Sequence, residues 1–174
     1  MPLRLFILKE DPLIRYRLSA AVSDSDDMVI VGDGAWTDET LSSLQAAQPD
    51  VLVFQLFEES KVAKQIETLR SVCPATRTKL FAVSHGEGLS EALMAIDCGV
   101  EGLLKTGFTV EEIRSAIRKL SQDGTYLDSV TAMKIVGLLD SSEARRKKVL
   151  ALRLTALEEN VVQDLSEGLS NLDI

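Results

Sequence analysis

Cysteine is scarce in this chain: Cys73 and Cys98 are the two among 174 residues. Two thiols build neither a disulfide framework nor a four-ligand zinc site. Histidine is scarcer still, with His85 alone. No apolar run reaches the ~20 residues a membrane helix needs. The opening stretch, Met1 to Lys9, lacks the long apolar core and small-residue cleavage site of a secretory signal. These absences together point to a reducing cytoplasm and no membrane partner. Gly86-Glu87-Gly88 is too short to cradle a phosphate, and no Gly-rich loop ending in Lys-Ser/Thr follows a strand. Positive charge is also short: 19 Lys and Arg face 27 Asp and Glu, a net −8. The chain as a whole therefore repels nucleic acid, and any DNA contact needs a local basic face or a further segment.

What is present is the composition of a globular protein, 45% apolar and 26% charged, long enough for one α/β domain with an appendage. Leu3 to Leu8, Val51 to Phe54 and Leu80 to Val83 are nearly continuous apolar runs, the mark of strands buried on both faces. Met28 to Val31 and Gly102 to Lys105 complete a set of five, with Gly32-Asp33-Gly34 closing the second. Helical spacing follows each strand. Asp11 is placed to cap the first helix, with Pro12 at its first position. Thr37 opens the second, Glu58 to Val72 forms the third before Pro74, Leu89 to Cys98 the fourth with Gly99 as its stop, and Thr109 to Gln122 the fifth. Five strand–helix repeats predict a doubly wound parallel sheet with helices on both faces.

In such a fold the working site lies at the carboxyl ends of the strands. Those ends carry Lys9-Glu10, Gln55, Ser84 and Lys105. Cys73 and Cys98 each end a helix and are expected on the same side of the sheet, either as a redox pair or as inert core residues. His85, beside Ser84, is either a pH-sensitive group at a strand end or a plain loop residue.

Arg4-Leu5-Phe6-Ile7 through Pro12-Leu13-Ile14-Arg15, Pro49-Asp50-Val51-Leu52-Val53-Phe54-Gln55-Leu56, Ser84, Lys105 and Gly124-Thr125-Tyr126-Leu127 carry a family resemblance. So do Leu154-Thr155 with Glu158, Val161, Leu165, Glu167-Gly168-Leu169-Ser170-Asn171 and Ile174. The chain resembles bacterial response regulators of the NarL/FixJ type, a receiver followed by a LuxR-type helix-turn-helix. The resemblance implies a flavodoxin-like strand order 2-1-3-4-5. It also implies a receiver-like domain over residues 1–127, a helical linker over 128–153, and the first part of a LuxR-type DNA-binding domain over 154–174. Thr155 and Glu158 form a T-x-x-E capping box there, Gly168 ends the helix, and Ser170 or Asn171 caps the next. Thr155, Ser170 and Asn171 are thus supporting positions of a motif whose recognition helix lies outside the sequence. A fragment of a longer DNA-binding protein is expected. Asp128 is placed to cap a linker helix with an apolar stripe suited to dimerisation, and the basic run Arg145-Arg146-Lys147-Lys148 suits phosphate contacts.

The same alignment exposes departures. A receiver holds Mg²⁺ with carboxylates beside a phosphate-accepting aspartate. Here Gln55 stands at the acceptor position, Lys9 and Glu10 at the acidic pair, and Ser84 and Lys105 at the switch and phosphate-pairing positions. Magnesium demands hard oxygen ligands, so neither phosphorylation nor a metal or other cofactor is expected, and no enzymatic activity. Lys9, Glu10, Gln55, Ser84 and Lys105 are expected to form a compensated polar cluster, with Lys9 neutralising Glu10 and Lys105 donating to the Gln55 carbonyl. The reading is an atypical, phosphorylation-independent response regulator in transcription. Its partners would be a second copy of itself, DNA in the full-length protein, and a regulatory protein. The alternative is a protein-interaction or ligand/redox-sensing module without DNA binding.

Overall fold

The computed structural model describes residues 1–23, 25–84 and 89–139. Strands and helices alternate through β1 (Leu3–Leu8), α1 (Pro12–Ser23), β2 (Met28–Gly34), α2 (Asp38–Ala47), β3 (Val51–Gln55) and α3 (Glu59–Val72). They continue through β4 (Lys79–Ser84), α4 (Ser90–Asp97), β5 (Gly102–Lys105), α5 (Val110–Asp123), β6 (Tyr126–Leu127) and α6 (Ser129–Leu139). The sheet order is β2-β1-β3-β4-β5-β6, and every pairing is parallel. The expected order 2-1-3-4-5 is therefore the core of the sheet. A sixth strand of two residues is added at its edge, which a count of long apolar runs misses because two residues leave no periodic signal.

Alternation along the strands sorts the core into two layers. Phe6, Leu8, Leu52, Phe54, Leu80, Ala82 and Leu103 face Leu44 of α2, Val62, Ile66 and Leu69 of α3, Ala92 and Ala95 of α4, and Ala132 and Ile135 of α6. Leu5, Ile7, Val51, Val53, Phe81, Val83 and Leu104 face Leu18 and Val22 of α1 and the Ile113, Ala116, Ile117, Leu120 stripe of α5. Burial of each such side chain stabilises the fold by about 1.5–3 kcal/mol before ordering costs.

β2 extends through Gly32-Asp33-Gly34 instead of ending before it. The pairing with β1 shifts by one residue between Leu5 and Phe6, where the Phe6 ring lies across Gly32. A Cβ built on Gly32 would sit 2.5 Å from that ring, so the strand runs on only because this residue has no side chain.

Helix ends follow local chemistry. The Thr37 hydroxyl accepts from the Thr40 N–H at the start of α2. Thr109 and Glu112 make a reciprocal capping box on α5, one of the strongest short-range start signals. Asp128 caps α6 as expected, its carboxylate accepting from the Thr131 N–H at 3.0 Å and the Thr131 hydroxyl at 2.7 Å. Gly99 ends α4 with φ 88°, in the left-handed region that favours glycine. No helix among the described residues is long and apolar enough to cross a membrane.

At the amino ends of the strands, Arg70 of α3 locks three elements together. Its guanidinium donates to the Thr78 carbonyl (2.9 Å), the Gly99 carbonyl (2.8 Å) and the Glu101 carboxylate (2.7 Å), which in turn accepts from the Leu80 N–H.

Candidate functional site

Parallel register brings the carboxyl ends of the central strands level. Leu8 of β1 lies beside Phe54 of β3, Gln55 beside Val83 of β4, and Ser84 beside Lys105 of β5. Lys9 and Glu10 leave β1 at this rim, and Gln55 ends β3. Together with Leu8, Trp36 and Phe57 they line one cavity of about 10 Å³. That space is on the order of one water molecule.

Lys9 is 3% exposed. Burial pushes its ammonium below the ordinary lysine range, and the nearby charge of Asp11 partly offsets this. The Lys9 N–H donates to the Gly34 carbonyl at 2.9 Å, which binds the chain leaving β1 to the end of β2. Glu10 faces elsewhere, its carboxylate accepting from the Trp36 N–H at 2.8 Å. Among the described residues Asp11 is the carboxylate whose charge acts on Lys9, while Glu10, expected to neutralise it, bonds a backbone N–H. The geometric reason is that β2 runs on to Gly34 and presents Trp36 within reach of Glu10.

Arg15, one turn into α1, organises the same loop. Its guanidinium donates to the Lys9 carbonyl and to the Glu10 carbonyl (3.1 Å), and its Nε lies 3.4 Å from the Asp33 carboxylate. The backbone carbonyls of the loop thus find their donor in the Arg15 guanidinium, whose charge is met by Asp33.

Gln55 is held through its backbone. The Gln65 side chain on α3, 2% exposed, donates from Nε2 to the Gln55 carbonyl (2.7 Å) and accepts from the Phe57 N–H (3.0 Å). This amide satisfies both groups of a loop that lacks regular structure. Phe57 is thereby set against Trp36, with ring centroids 4.9 Å apart and planes tilted by 58°. The pair is a favourable aromatic arrangement and lies on the cavity that Lys9 and Gln55 share.

Ser84 and Lys105 form a second, adjacent group. Ser84 is buried, and its hydroxyl lies 3.4 Å from the Glu91 carboxylate of α4, a long contact. Its carbonyl accepts from the Thr106 N–H at 2.9 Å. Among the described residues Lys105 makes no bond to Gln55, whose main-chain carbonyl is taken by Gln65. The five expected residues therefore divide: Lys9, Glu10 and Gln55 share a cavity, while Ser84 and Lys105 pair across the sheet beside it. His85, Thr155, Ser170, Asn171, Glu158, Gly168 and the Arg145–Lys148 run lie outside the described residues.

A magnesium ion, which this type of site implies elsewhere, does not fit these side chains. It would meet an ammonium at position 9, a neutral amide at position 55, and at position 10 a carboxylate already bound to a backbone N–H. Hard octahedral oxygen coordination is not available from that donor set. Among the described residues no group of three or more His, Cys, Asp or Glu converges as a metal site.

Four contributors were not legible as site residues: Arg15, Trp36, Phe57 and Gln65. Gln65 did leave a signal, a polar residue within the buried stripe Val62, Ile66, Leu69, because a buried amide must find partners. Cys73 and Cys98 lie on the same face, both free, with Cys73 in the core and Cys98 packed against it. Burial pushes the Cys73 thiol up, which makes it a poor nucleophile and favours the core reading.

No protein-family model matches the chain. The response regulator protein VraR of Staphylococcus aureus is 22% identical over 175 residues, spanning all of this chain and 80% of its own length. A two-component response regulator of the LuxR family from Aurantimonas sp. SI85-9A1 superposes with a TM-score of 0.67 at 16% identity, over 76% of this chain and 94% of that one. RcsB from Salmonella enterica serovar Typhimurium, in a structure bound to promoter rprA, gives 0.59 at 12% identity over 70% and 61%. The chain has a response-regulator receiver-type fold, with LuxR-family members among its neighbours.

Proposed function

We propose that this chain is an atypical response regulator that works in transcription regulation without phosphorylation at β3. Residues 1–127 act as a receiver-like platform for dimerisation or partner docking, 128–153 as a helical linker, and 154–174 as the start of a LuxR-type DNA-binding domain. Thr155, Ser170 and Asn171 belong to that start. The protein works in the cytoplasm and is not an enzyme. One observation carries the reading: Gln55 ends β3 beside a buried Lys9 in a cavity of about 10 Å³ lined by Trp36 and Phe57. An amide offers no carboxylate to phosphorylate, and the cation and the ring pair occupy the space a metal and phosphoryl group need. Lys9, Glu10, Gln55, Ser84 and Lys105 then hold the switch region in one state in place of a phosphate. The promoter in the RcsB structure and the LuxR-family neighbours support DNA as partner.

The test is incubation of the protein with a small-molecule phosphodonor and Mg²⁺, followed by intact mass. The expected outcome is no 80-dalton adduct (about one phosphoryl group) on any residue at the β3 end. A stoichiometric adduct there, or beryllofluoride seated at Gln55 in a crystal, overturns the reading. A band shift with the full-length product, unchanged by phosphodonor, checks the DNA half. A product that binds no DNA favours instead the module without DNA binding, a reading the net charge of −8 supports.

A further inference from the structure

The opposite rim of the sheet, where strands begin, holds a second cavity of about 460 Å³. Its size falls within the range of small-molecule sites. Three guanidiniums line it from three different elements: Arg4 of β1, Arg77 from the turn before β4, and Arg118 of α5. Two carboxylates share it, and both are already engaged. Asp27 is bound by Arg118 through two contacts of 2.7 and 3.0 Å, and Asp50 accepts from the Arg4 N–H at 2.8 Å. Arg118 is thereby fixed in place, with Ser25 accepting a further bond at 3.0 Å.

The other two guanidiniums are largely unspent. Arg4 reaches only the Gln48 carbonyl, at 3.4 Å. Among the described residues the Arg77 side chain has no hydrogen bond or ion pair. A guanidinium carries five donors in a planar fork suited to two oxygens of one anion. The cavity thus concentrates positive charge on a protein of net charge −8, and a concave wall focuses that potential. Leu3 and Met28 supply apolar surface beside the charges.

We propose that this amino-end cavity binds a small molecule bearing a phosphate or carboxylate group, with Arg4 and Arg77 taking the oxyanion and Arg118 as an anchored wall. The site lies at the opposite rim from the carboxyl-end cavity and shares no lining residue with it. It does not rest on the regulatory reading.

The experiment is a titration of ¹⁵N-labelled full chain with inorganic phosphate and, separately, succinate, each against chloride at matched ionic strength. Saturable shifts of the Arg4, Met28 and Arg77 amides are expected with at least one of the two. Saturation by phosphate alone identifies a phosphoryl ligand, by succinate alone a carboxylate ligand, and by both a general oxyanion site. Arg77→Ala, whose side chain supports no other contact, should weaken binding at least tenfold, as should Arg4→Ala, while thermal melting of Arg77→Ala stays unchanged. Absence of saturation with both anions, shifts equal to those in chloride, or full affinity in both variants would overturn the proposal.

Discussion

Lys9 is a buried cation at the carboxyl end of β1, and its stability effect has a definite sign. Its folded-state pKa lies below the unfolded one, so the folded state binds fewer protons in the interval between them. Stability therefore rises with pH across a window ending at about 10.4, the ordinary lysine value. Replacing it by Met removes the desolvation cost, and Asp11, whose charge acts on it, is exposed. Lys9→Met should match or exceed the wild-type melting temperature at neutral pH and flatten that alkaline rise. A clear drop would show that the ammonium is a net stabiliser. Gln55→Asp alone should remain unphosphorylated, because the ammonium and the Trp36–Phe57 pair are still in place; intact mass after phosphodonor treatment checks this. On the far rim, Arg118 holds the Asp27 carboxyl well below the usual carboxylate range. Its contribution is present above the ordinary aspartate value and is lost only as pH falls past it. The Asp27 side-chain carbon should keep its carboxylate NMR shift through about pH 4, whereas in Arg118→Ala it should titrate near there.

Elements meet at this site through side chains that bond backbone. The β3–α3 loop is held by one amide on α3: Gln65→Met keeps the volume but strands the Gln55 carbonyl and the Phe57 N–H. The cost should be about 2–3 kcal/mol in urea unfolding, with a change in Trp36 fluorescence as Phe57 moves. If both effects are absent, water replaces the amide without penalty and the latch is incidental. α6 depends on its cap in the same way. Asp128→Ala leaves the Thr131 N–H and hydroxyl without their acceptor and should destabilise by about 1–2 kcal/mol. The helix is covered on one side by the core and exposes Val130 and Met133 on the other.

The described residues form a sheet with two unlike rims. Among the described residues the carboxyl-end rim has a cavity of about 10 Å³ beside the buried Lys9. The amino-end rim is open, arginine-rich, and clamped by Arg70. That clamp joins α3, β4 and the start of β5 through one guanidinium, so Arg70→Met should cost about 2–3 kcal/mol and lower the unfolding midpoint without altering its slope. A slope change would mean that the two halves of the sheet no longer unfold together.

The strand–helix alternation and the identity of the rim residues were legible because each rests on period and on short connections, whereas the strand order came from the resemblance. Val51 to Phe54 is a nearly continuous apolar run, the mark of a buried strand, and five strand–helix repeats predict a parallel sheet. The amide that ends β3 was legible in Gln55 alone. Partners were not. Sequence places Lys9 beside Glu10, yet Glu10 bonds Trp36 and Lys9 answers to Asp11, because side chains choose partners by direction and distance after the strands are in register. Gln65, Trp36 and Phe57 entered the site only through folding, which brings residues 8 to 26 positions apart into contact. The amino-end cavity is of the same kind: Arg4, Arg77 and Arg118 are unremarkable surface cations along the chain, and only the sheet's closing geometry sets them around one space.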